Sequence, residues 1–191
     1  MIDKAIDFLK DELNAYLKLN VGDEYGKTVK SANILNQDGT VEATLEDSII
    51  ATLINVQEER ITKAQGYQLD TINGQQVKLN PEIKLNLFIL FTANFKNYNE
   101  SLKFLSHLIS FFQSKNVFDP KNSPALHVSI EKLIADLHTI SFEQQNNLWG
   151  SLGAKYMPSV VFKVRLIVVQ ERKALKTSET ISGFAPGLSR S

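Results

Sequence analysis

Two residues in the run 131–139, EKLIADLHT, carry groups that could do chemistry. Asp136 and His138 are two apart, so an extended backbone puts both on one face. A carboxylate beside an imidazole could hold a metal ion, with His107 and His127 as the remaining imidazoles. The competing reading is a surface ion pair. His127 has the opposite parity to His138 on a continuous strand, which weakens a shared site, and no metal is expected. Trp149 could stack on a ligand, but an indole is more often buried, here in the core or a subunit interface. Lys163 and Arg165, also two apart, could grip an acidic partner or form the solvated edge of a last strand. The chain contains no GxSxG, Walker A, GxGxxG, HExxH or CxxC pattern. These residues therefore predict no enzyme and no cofactor.

The composition narrows the function classes further. The 191 residues are 43% hydrophobic and 22% charged, the balance of a folded domain. A chain this long buries roughly two-thirds of its unfolded surface, and one domain is the natural expectation. Net charge is zero and the pI is near 6.8, which argues against a general nucleic-acid binder and against adhesion to an anionic membrane. The absence of cysteine excludes disulfides, thiolate metal sites and a cysteine nucleophile. MIDKAIDFLKDEL reads as an amphipathic helix with acids rather than a leader, and no apolar run reaches the ~20 residues that span a bilayer. Cytoplasmic synthesis and folding are expected.

The elements that position these groups centre on 81–118. Ile83, Leu85, Leu87, Ile89 and Phe91 alternate on one strand face, and Phe88 and Leu90 make the other face apolar too. The period then becomes helical. Leu102, Leu105, Ile109 and Phe112 form a stripe widened by Phe104, Leu108 and Phe111, with Lys103, His107, Ser110 and Ser114 opposite and Asn97 or Asn99 as N-cap. Upstream, residues 2–18 read as a helix with the stripe Ile2, Ile6, Leu9, Leu13 and Leu17. Residues 48–58 read as a central strand with Ile50, Ile54 and Val56 on one face and Ile49, Ala51 and Leu53 on the other. Ser31–Leu35 could pair with Val41–Leu45 as a hairpin, or the stretch could be an irregular loop. Asn73–Gly74 marks a two-residue hairpin turn, with Tyr67, Leu69 and Thr71 before it and Val77 and Leu79 after it.

Downstream, 126–139 fits strand or helix, and a strand at about 131–139 is favoured. Ser141 with Gln144 is a capping box opening a helix over 142–150 that ends near Gly150 or Gly153. Pro158 opens a final strand with Val160, Phe162, Val164, Leu166 and Val168 on one face. The fold class is α/β in the α+β sense. It is a single domain over 1–171, with a mostly antiparallel central sheet of about four strands flanked by helices. Residues 172–191 are poor in large apolar side chains and read as an extended arm, flexible unless a partner holds it.

Two stretches resemble a known family. LNLFILFTANFKNYNESLKFLSHLISFFQ, and LWGSLGAKYMPSVVFKVR with Leu148, Trp149, Leu152, Gly153, Pro158, Ser159, Val160, Phe162, Lys163 and Arg165, are similar to the tail-terminator, or cap, proteins of contractile injection systems. These are the phage-tail-like particles of the antifeeding-prophage and virulence-cassette type. Together with the N-terminal helix the likeness covers most of 1–170; 20–45 and 61–80 carry little of it. The resemblance implies a structural cap that ends the inner tube and sheath as a homo-hexameric ring at the distal end. Its partners would be itself, the inner tube protein and the sheath protein, with neither nucleic acid nor membrane. Assembly would take place in the bacterial cytoplasm, and the protein would then be part of a released or cell-associated particle. Ile181, Phe184 and Leu188 are candidate anchors by which the arm would dock on the sheath. The alternative is a small-ligand-binding or enzymatic α/β domain with no recognisable site.

Overall fold

The structure is a computed structural model that describes residues 1–36, 39–40, 42–59, 68–72, 75–79 and 84–168. The chain divides into two units, one from residues 1–62 and 82–169 and one from 63–81 and 170–191. In the first, helix α1 (Ile2–Asn20) is followed by β1 (Val29–Ser31) and β2 (Ser48–Glu58). In the second, β3 (Gln68–Ile72) and β4 (Gln75–Leu79) form an antiparallel hairpin with Ile72 opposite Gln75, as Asn73–Gly74 predicts. Tyr67 lies outside the described residues. The first unit continues with β5 (Lys84–Asn94), α2 (Tyr98–Ser114), β6 (Val117–Phe118), β7 (Ile130–His138), α3 (Phe142–Leu152) and β8 (Ser159–Val168).

Six strands lie in one sheet in the order β1-β2-β5-β8-β7-β6. The four long strands are those that hydrophobic alternation predicts. The two additions, β1 and β6, are edge strands of three and two residues, too short to show a period. All neighbours are antiparallel except β1 and β2. β1 takes Val29–Ser31 into a parallel pair with β2, and among the described residues no ladder joins 31–35 to 42–45, where Ala43–Leu45 is a short 3-10 helix. Instead, the Asn36 amide donates to Thr40 O at 2.9 Å and the Gly39 amide to Asn36 O at 3.0 Å. Within 126–139 the strand runs from Ile130 to His138, close to the expected 131–139, and β8 lies between β5 and β7.

Helices α1 and α2 contribute to the main core on one face of this sheet. The α1 stripe buries Ala5, Ile6, Phe8, Leu9, Leu13 and Leu17. They share one core with Leu87, Ile89, Phe91, Leu133, Ala135, Phe162, Val164 and Leu166. Aromatic rings join the layers: Phe112 lies 4.4 Å from Phe162 between centroids, and Phe95 stacks on Phe104 at 4.4 Å. The buried side of α2 is rotated from the expected stripe. Ser101, Phe104, Leu105, Leu108, Phe111 and Phe112 are buried, while Leu102 and Ile109 remain 42% and 37% exposed. Three phenylalanines, Phe104, Phe111 and Phe112, outweigh two aliphatic positions in fixing which side of a broad apolar helix faces in.

The opposite face carries a smaller core of Ile34, Leu90, Trp149 and Val161, with Leu148 and Leu152 of α3 packed on it. Here β2 departs from simple alternation. A bulge leaves Ile54 between Leu53, opposite Ile89, and Asn55, opposite Phe88. The extra residue flips the parity, so Ile54 packs in the smaller core while Val56 aligns with Leu87 on the other face. The shared face expected for Ile54 and Val56 is therefore wrong.

Candidate functional site

α3 is positioned by local chemistry. The Ser141 hydroxyl accepts from the Gln144 amide at 3.2 Å, and the Gln144 side chain accepts from the Ser141 amide at 2.8 Å. Gly153 ends the helix at φ 67°, a left-handed turn that a side chain would strain. Between these ends Trp149 is carried into the smaller core and is 5% exposed. Its indole N–H has no hydrogen-bond partner, and its ring packs edge-on to Tyr156 at 5.7 Å.

Asp136 and His138 share the face that carries Trp149, as alternation requires. His138 packs edge-on against Phe88, with centroids 5.0 Å apart. His127 precedes β7 in a turn, where Nδ1 lies 2.8 Å from the Ser129 hydroxyl. The described residues bring together no group of three or more His, Asp or Glu side chains placed to hold a metal. They also contain no helix long and apolar enough to cross a membrane.

Lys163 and Arg165 do not form a solvated edge, because β8 is an interior strand. Both are half-buried on the face of the smaller core. Arg165 Nε lies 3.1 Å from Glu59 Oε2, close enough for an ion pair but without hydrogen-bond alignment. Lys163 stands between Phe88 and Asp136 on the neighbouring strands. Ile181, Phe184 and Leu188 lie outside the described residues.

Sequence reasoning passed over the outer edge of the sheet at β1. The Asn14 amide on α1 makes two bonds to one residue of that strand. Its Oδ1 accepts from the Val29 N–H at 2.8 Å, and its Nδ2 donates to the Val29 carbonyl at 3.1 Å. Beside it runs a groove of about 720 Å³ between α1 and β1, lined by Lys10, Lys18, Lys27 and Lys30 and by Asp7 and Asp11. Lys10 bonds Asp7 at 2.9 Å, which raises the lysine pKa above its ordinary value. The only signal in the sequence is an asparagine beside the apolar stripe of a helix.

The matching family model is the Pvc16 N-terminal domain, over residues 5–182. No curated protein sequence matches the chain. Two solved structures share the fold. One is the sheath/tube terminator of an extracellular contractile injection system, PVC, in the extended state. It has a TM-score of 0.61 and 14% identity, with all of this chain and 64% of that one covered. The other is the anti-feeding prophage cap, a tube terminating cap, with a TM-score of 0.58, 12% identity and coverage of 94% and 60%. The chain thus spans less than two-thirds of the length of either neighbour. With the family model matching nearly its whole length, the chain belongs to the Pvc16 N-terminal domain family.

Proposed function

We propose that this chain is a structural cap that ends the inner tube and sheath of a contractile injection system. The observation that carries the reading is the family match over residues 5–182, joined to a fold shared with a sheath/tube terminator and a tube terminating cap. The working form is a homo-hexameric ring, because a ring of matching symmetry lets every subunit make the same contact with a six-fold tube. Lys163 and Arg165 are partner-binding candidates. The 172–191 segment, with Ile181, Phe184 and Leu188, is the arm that reaches the sheath. The protein is assembled in the cytoplasm and then travels with the particle.

Co-sedimentation with preassembled tubes tests this. Shearing a fixed mass of tube into shorter pieces creates ends without adding wall. Bound cap should rise in proportion to the number of ends. Binding that follows tube mass, or no binding, contradicts the cap reading.

A further inference from the structure

We infer that the groove between α1 and β1 is a strand-acceptor site for an extended, acidic segment of a partner protein, with the Asn14 amide holding the partner's place. Among the described residues β1 pairs on one side only, with β2. In that parallel pair Ile49 donates to Thr28 O and Ala32 donates to Ala51 O, so the peptide groups of Val29 and Ser31 point to the open side. Val29 is met there by Asn14, whose N–H and C=O supply the bonds a neighbouring strand would supply. Ser31 has no such partner among the described residues and is exposed. A helix alongside an open strand edge is a geometry in which extended peptides dock, gaining affinity from main-chain bonds.

The charge around the groove selects the occupant. Four lysines line it against two aspartates. Lys10 is held by Asp7 and Asp11, and Lys18 by Asp23 at 3.4 Å. Lys27 is exposed with no ion-pair partner among the described residues, and Lys30 donates to the Thr44 carbonyl, which leaves its charge unbalanced. Both flank Val29, so an incoming strand with carboxylates is favoured and a basic one repelled. The part of β2 beyond β1 offers a poorer edge, because the bulge at Ile54 interrupts its regular ladder.

The test uses the purified full-length chain and three labelled ten-residue peptides in which valine alternates with glutamate, threonine or lysine. The glutamate peptide should bind about tenfold more tightly than the lysine peptide, and added salt should weaken it. The Ser31 amide signal should shift on binding. Asn14→Ala vacates the seat and should tighten binding. Lys27→Glu, an exposed change, leaves three lysines against three acids and should abolish the charge preference even if Asn14→Ala proves unstable. Failure of every peptide to bind overturns the inference, as does binding indifferent to charge and to Lys27, or signal changes remote from 29–31. The measurement needs no tube or sheath, so it can fail while the cap reading stands.

Discussion

At the scale of single residues, burial separates positions that the sequence pattern treats alike. Leu87 is fully buried in β5, with α1 and α2 side chains in the same core. Leu87→Ala should cost on the order of 2–5 kcal/mol, since the surrounding layers cannot close the cavity. Leu102 on α2 is apolar as well but turned outward, and Leu102→Ala should cost less than about 1 kcal/mol. Lys103→Ala, on the exposed side, should stay within about 0.5 kcal/mol. Denaturant midpoints for the three variants check the ordering. Similar losses for Leu87 and Leu102 would show that the faces of α2 are misassigned. Leu87 was legible because a strand repeats every two residues and any run of alternating apolar side chains marks the inward face. Leu102 was not, because α2 is apolar over more than half its circumference and its sequence leaves the rotation free.

At the scale of elements, the features readable in advance are those written into short contiguous chemistry. Ser141 and Gln144 form the reciprocal bonds their spacing predicts, and Gly153 closes α3 in the conformation glycine favours. Ser141→Ala should therefore cost about 1 kcal/mol, and Gly153→Ala roughly 1–2 kcal/mol for the left-handed backbone. Thermal melts with near-wild-type midpoints for both would remove this account of the helix ends. Elements whose identity depends on a distant partner were not readable. β1 exists because Lys30 aligns with Ile50, twenty residues away, and the β2 bulge appears only when the strand is laid against β5. The same holds for the Asn14 clasp on Val29, fifteen residues apart in sequence. Asp136 and His138 share a face as read, yet the rings around them are Phe88 and Trp149 rather than further ligands.

At the scale of the whole molecule, the cap reading assigns different work to the folded body and to the segment after it. Residues 172–191 contain few large apolar side chains. A chain truncated after Arg172 should keep its melting transition and still reach the tube, while its hold on sheath weakens. Normal sheath anchoring by the truncated chain would dismiss the arm, and loss of folding would make the segment part of the core. As a cap, this protein would sit where tube and sheath stop. Cryo-electron microscopy of particle ends tests it most directly, comparing particles made with the chain and particles made without it. The account predicts a six-fold ring at the distal end that fits this fold, present only when the chain is supplied. Ends that look the same in both samples, or density for the chain along the shaft or at the baseplate, would contradict it.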